Sequence, residues 1–294
     1  MTFDDDARLS SKGVSRAGGG RRGVAIGGGS LGGLIVVVLL GLIFGVDPSA
    51  LLGGGDGTGQ PDPGTPLTNC ETGADANNNI DCRVQGARDS LDSYWKVESP
   101  QIGMAHYASP EVLLFTGSVN TGCGSATSAV GPFYCPPDQT IYLDTGFYSD
   151  LKTKFGATGG PLAQLYVVAH EWGHHIQNLS GTFDTVDQSE TGPTSDSVRL
   201  ELQADCFAGA WTGSAATTKD VDGNTLIEPI TQAQLKDALN AASVIGDDRI
   251  QQRSGNGVNP ETWTHGSSAE RQRWFSRGYT GGATNCDTFG ARAL

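Results

Sequence analysis

Basic residues are scarce in this chain, which carries 19 Lys and Arg against 32 Asp and Glu, for a formal net charge of −13. Phosphate contact needs a basic surface, so nucleic-acid binding is disfavoured. No internal repeat is seen, which removes the solenoid and propeller classes. No cysteine precedes Cys70, and none of the six forms a C-x-x-C pair, so a cysteine-held zinc is not expected. Charge of either sign is absent from Gly23 to Val46. Histidine numbers only five, so a spaced pair of histidines is not a frequent accident in this composition.

Two of those five sit in His170-Glu171-Trp172-Gly173-His174, the H-E-x-x-H signature of zinc peptidases. Leu162, Leu165, Val168, Ala169, Trp172, Ile176 and Leu179 recur at helical spacing, and Pro161 suits a first turn. On such a helix residues four apart share a face. His170 and His174 can then reach one Zn2+, with Glu171 beside them as the general base for a water activated by the metal. Catalytic zinc usually takes a third protein ligand. The longer pattern with a third histidine fails, because Gln177 and Ser180 occupy the required positions.

A second helix is expected from Ser195 to Thr212, with Glu201 and Asp205 four apart on one face. Like charges at that spacing repel, and a cation beside them removes the conflict. Glu201 is therefore assigned as third ligand, and Asp205 as the acceptor that fixes a ligand histidine's tautomer. His175 is expected to be a packed histidine. Further on, His265 is the candidate donor to the carbonyl oxygen as charge develops there, with Arg271 as helper or anchor for a substrate carboxylate. A rival assignment makes His265 the third ligand and leaves Glu201 structural.

The runs Val168 to Gln177, Arg199 to Gly209 and Phe133-Tyr134-Cys135-Pro136 resemble the neutral zinc metallopeptidase family of bacterial membrane-anchored proteins. The resemblance covers most of the chain from about Cys70 onward. It implies a zincin fold and metal-dependent peptide hydrolysis, with Glu201 as the glutamate ligand of the gluzincin type. It does not add a substrate. The His265-x5-Arg271 spacing is similar to a segment of the integral-membrane prenyl-protein peptidases, which share the zincin core.

The uncharged N-terminal run is long enough to cross a bilayer as one helix. Arg8, Lys12, Arg16, Arg21 and Arg22 precede it, which by the positive-inside rule leaves the N-terminus cytoplasmic. A retained anchor is favoured over a cleaved signal peptide, because the run is long and no clean A-x-A site follows. The expected organisation is a cytoplasmic tail (1–23), a transmembrane helix (24–46), a flexible Gly- and Pro-rich linker (47–68) and an extracytoplasmic domain (69–294). Six cysteines, all beyond the run, fit an oxidising compartment. Local closure favours Cys70–Cys82 and Cys123–Cys135, leaving Cys206 for Cys286.

Strands are expected at Val112 to Thr116 and Gln139 to Leu143, and helices at Asp81 to Tyr94, Gly146 to Phe155, Gln232 to Ile245 and Ser267 to Phe275. With strands before the motif and helices after it, the layout is α+β, mainly helical around the site. Thr140 to Asp144 is the candidate edge strand for a bound peptide. The expected function is a membrane-anchored zinc endopeptidase acting on peptide or protein substrates. The rivals are a non-catalytic envelope module, with structural zinc or a peptide-binding cleft, and a zinc amidase acting on cell-wall peptides.

Overall fold

The computed structural model describes residues 2–18, 61–255 and 257–294. The expected transmembrane helix (24–46), and most of the expected linker, lie outside the described residues. Among the described residues no helix is long and apolar enough to cross a membrane.

Seven short strands and eight α-helices form the described fold. A five-stranded sheet has the order β2-β1-β3-β7-β6. Its members are β1 (Val14–Ala17), β2 (Gly64–Pro66), β3 (Glu111–Phe115), β6 (Phe133–Cys135) and β7 (Thr140–Asp144). β1, β3 and β7 run parallel, while β2 and β6 close the two sides antiparallel. Side chains alternate across a strand. Val112 and Leu114 therefore enter the main core with Ile141 and Leu143, while Leu113 and Phe115 join Tyr142 and Phe133 in a smaller cluster on the other face. The hairpin of β4 (Ser118–Thr121) and β5 (Gly124–Thr127) covers that smaller cluster.

The helices are α1 (Gly73–Asn78), α2 (Ile80–Glu98), α3 (Phe147–Thr153), α4 (Pro161–Leu179), α5 (Asp196–Ser214), α6 (Gln232–Val244), α7 (Asp247–Ser254) and α8 (Ser268–Gly281). α4 begins with Pro161 at its first turn, α5 is capped by Ser195, and α8 carries a capping box of Ser267 and Glu270. α5 packs between α4 and α8. A Cβ on Gly209 would lie 2.0 Å from the Phe275 carbonyl oxygen, and one on Gly278 1.9 Å from that of Cys206. Only glycine permits α5 and α8 to approach so closely. Disulfides join Cys70–Cys82, Cys123–Cys135 and Cys206–Cys286, the last tying α5 to the C-terminal segment.

Two expectations are corrected here. Thr140–Asp144 is an interior strand, hydrogen-bonded to β3 on one side and β6 on the other, so the edge beside it is Phe133–Cys135. The boundary at residue 69 also moves. Residues 2–18, expected as a separate tail, are built into the domain: β1 sits between β2 and β3, and Phe3 is 1% exposed. The Phe3 ring occupies the space beside Gly86, where a Cβ would come within 2.5 Å of it.

Candidate active site

The metal-binding geometry comes from two packed helices. On α4, four-residue spacing stacks the His170 and His174 rings edge to face, with centroids 4.8 Å apart. α5 brings Glu201 across to them: its Oε2 lies 3.1 Å from His170 Nε2, and its Oε1 3.4 Å from His174 Nε2. A Cβ on Gly173 would come within 2.8 Å of the Ala204 backbone. The glycine inside the motif is what lets α5 draw near enough for Glu201 to arrive.

These residues fit a metal ion. One ligand atom from each of His170, His174 and Glu201 lies within 4.8 Å of the others, and all three residues are buried. His174 Nε2 and Glu201 Oε1 are buried with no hydrogen-bond partner, as are Glu171 Oε2 and His265 Nε2. Unpartnered buried polar atoms are costly. Two imidazoles and one carboxylate are the donor set that zinc prefers.

The other ring nitrogens are committed elsewhere. His170 Nδ1 faces Asp205 Oδ1 at 3.0 Å, and His174 Nδ1 faces Gln177 Oε1 at 2.8 Å. Gln177 is itself fixed, because its amide donates to the Leu200 carbonyl and to Gln203. Both histidines therefore direct Nε2 towards Glu201. Burial opposes a charge on His170, but Asp205 and Glu201 outweigh it and hold the metal-free imidazole up to about 10. Burial also opposes the Glu201 charge, yet His265, His174 and His170 hold that carboxyl well below its ordinary range. Glu171 moves the other way, pushed up by burial against the opposing pull of His170 and His174.

Asp205 anchors a buried network. It accepts from Arg271 Nε at 2.7 Å and Nη2 at 3.0 Å, and from the Tyr166 hydroxyl. Arg271 also donates to Tyr166 at 3.1 Å and to the Ile245 carbonyl at 3.2 Å. Of the two roles expected for Arg271, helper or anchor for a substrate carboxylate, these contacts favour the helper. The side chain is 0% exposed and its guanidinium is held by these partners, so its hydrogen bonds are spent on supporting Asp205.

His265 is buried in the same region and interacts electrostatically with Glu201. Its Nδ1 lies 2.7 Å from Thr264 Oγ1 and 3.4 Å from Asp247 Oδ1. Asp247 Oδ2 accepts the backbone N–H groups of Thr264, His265 and Gly266, which fixes the loop and leaves His265 Nε2 free. Among the described residues only His170, His174 and Glu201 group as metal ligands, so His265 is not among the three. His175 packs away from the site: Tyr134 faces its Nδ1 at 3.0 Å, and its Nε2 contacts the Ala108 carbonyl at 2.7 Å. Burial pushes it down to about 4, so it is neutral.

Sequence reasoning missed Gln177, Tyr166 and Asp247. The first carried a signal, since it lies three residues beyond His174 on the same helix face. Asp247 carried none, because nothing local links it to His265. An apolar pocket opens beside the motif, lined by Val130, Pro132, Phe147, Phe155, Val167 and Ile245, with His170 and Glu171 on its wall.

Strands, two packed helices and an H-E-x-x-H site closed by a glutamate from the second helix define a metallopeptidase-like class of protein. The sequence comparisons make this specific. Residues 3–289 match the model of the family described as "Putative neutral zinc metallopeptidase", and the chain belongs to that family. The match begins inside the segment that leads into β1, well before Cys70. Relatives include "Uncharacterized protein Rv2575" of Mycobacterium tuberculosis, 49% identical over 86% of each chain. "Uncharacterized protein YpfJ" of Escherichia coli K12 is 39% identical over 97% of this chain and 95% of its own. No solved structure matches the chain.

Proposed function

We propose that the protein is a membrane-anchored, zinc-dependent endopeptidase whose catalytic domain lies outside the cytoplasm. The observation that carries the reading is the buried convergence of His170, His174 and Glu201 beside the unpartnered Glu171 carboxylate oxygen. The three disulfides support an oxidising compartment, and the uncharged run 24–46 supports attachment to a bilayer.

His170, His174 and Glu201 would hold the zinc. The chemistry it supplies when bound is Lewis acidity, towards a water and towards the scissile carbonyl. Glu171 takes the proton of the attacking water at its free carboxylate oxygen and later passes it to the leaving amine. Its buried setting raises its proton affinity, which suits a group that must both accept and return a proton. His265 Nε2 donates to the carbonyl oxygen as negative charge develops there. Asp205, held by Arg271 and Tyr166, keeps His170 in one tautomer, and Asp247 keeps the His265 loop in place. β6 ends the sheet with no strand paired on its outer side among the described residues, a position that suits a peptide bound as an added strand.

Glu171→Gln tests the reading. The variant should retain about one zinc per chain by elemental analysis, yet lose cleavage of a peptide library by on the order of 10²-fold or more. Cleavage at the wild-type rate would remove Glu171 from the mechanism. Cleavage that persists in chelator would remove the metal.

A further inference from the structure

We infer that residues 2–17 lie on the same side of the membrane as the catalytic domain, with no single crossing between the two. The strand pairing carries the argument. β1 pairs antiparallel with β2, with Ser15, Arg16 and Ala17 opposite Pro66, Thr65 and Gly64. It also pairs in parallel with β3, Val14 to Arg16 against Val112 to Leu114. Residues opposite each other in an antiparallel pair have Cα atoms about 5 Å apart, whereas a single crossing would separate its two ends by a hydrocarbon layer about 30 Å thick. The two arrangements exclude each other.

Nor is β1 an isolated contact. The Leu9 N–H donates to the Glu71 carbonyl, and that of Val112 to the Gly13 carbonyl, each at 2.8 Å. The Asn77 side chain accepts the Thr2 and Phe3 N–H groups at 3.0 and 3.1 Å, and donates to the Phe3 carbonyl at 2.8 Å. Two of the basic residues that suggested a cytoplasmic N-terminus, Arg8 and Arg16, have partners in the domain. Arg16 contacts both Asp81 oxygens, at 3.0 Å from Nε and 2.5 Å from Nη2. Arg8 meets Asp222 at 3.1 Å. Charges paired in this way are part of a folded surface, and their count no longer reports orientation.

The inference does not depend on the catalytic reading, because its test measures sidedness and not turnover. Ser11 and Val221 are both exposed, and all six native cysteines are in disulfides. Ser11→Cys and Val221→Cys, introduced singly into the full chain, are treated in intact and then permeabilised cells with a membrane-impermeant maleimide. Both should label under the same condition. A second variant, Ser15→Cys with Pro66→Cys, places two thiols at register partners. Mass spectrometry of the unreduced protein should find the two peptides linked. Labelling of Ser11→Cys and Val221→Cys from opposite sides would overturn the inference, and so would folded protein in which residues 15 and 66 remain unlinked.

Discussion

Replacing Asp205 with asparagine probes the network behind the metal site most directly. Asp205 is fully buried and is the anionic hydrogen-bond partner of Arg271 among the described residues, at 2.7 and 3.0 Å, while also meeting His170 at 3.0 Å. Asparagine keeps the shape and removes the charge. Arg271 then becomes a buried cation without its counter-ion, a change that costs about 3–5 kcal/mol. At about 2–4 °C per kcal/mol for a domain of this size, the melting temperature measured by calorimetry should fall by roughly 6–20 °C. The His170 ring also exchanges an anionic acceptor for a neutral amide that can present either its oxygen or its NH2, so zinc affinity in a chelator competition should drop about 10- to 100-fold. The double variant Asp205→Asn with Arg271→Met removes the stranded charge, and should regain part of the stability without regaining the affinity. A single variant with unchanged melting and unchanged affinity would refute the reasoning. A double variant whose losses simply add would show that the two residues are not coupled.

Other outcomes follow from the same geometry. Because His170 in the metal-free site is held up to about 10, zinc must displace a proton; affinity should rise with pH by up to about tenfold per unit between about pH 6 and 9, seen in buffered competition titrations. The same shift stabilises the metal-free fold fully below about pH 6.5 and is lost as pH rises towards about 10, so chemical unfolding of metal-free protein should report an alkaline decline from this group. Losing the Cys206–Cys286 bridge, which closes 80 residues, should cost about 4–5 kcal/mol in the chain-entropy account and be visible as a lower denaturation midpoint for Cys206→Ser with Cys286→Ser. Peptides that place a large apolar side chain next to the scissile bond should be cleaved at least about tenfold faster than those placing a charge there. Val167→Asp, which sets a carboxylate in the pocket wall, should erase that preference in a library digest.

The candidate metal ligands were legible because their geometry is helical and local. His170 and His174 declare themselves by spacing, and Glu201 with Asp205 by a like-charge pair that invites a cation. The burial of Arg271 was not legible, because arginine is seldom fully buried and nothing nearby in sequence reveals that Asp205 lies against it. β6 is three residues long and buried at every position, too short to show alternation, so the adjacent and longer β7 drew the edge assignment. β1 offers one buried side chain in four. Its strand character comes from two neighbours far along the chain, and charge counting in that segment pointed another way. Asp247 illustrates the same limit, since a carboxylate that accepts three backbone N–H groups from a remote loop leaves no periodic trace.

The threading of β1 between β2 and β3 bears on how this molecule should be handled. Trimming away everything before residue 61, the habitual route to a convenient water-soluble fragment, would strip the middle from a three-strand pairing and empty the hollow beside Gly86 that Phe3 fills. The bared flank of β3 would then invite other copies to pair with it. Inactivity of such a remnant would describe the damage and not the zinc chemistry.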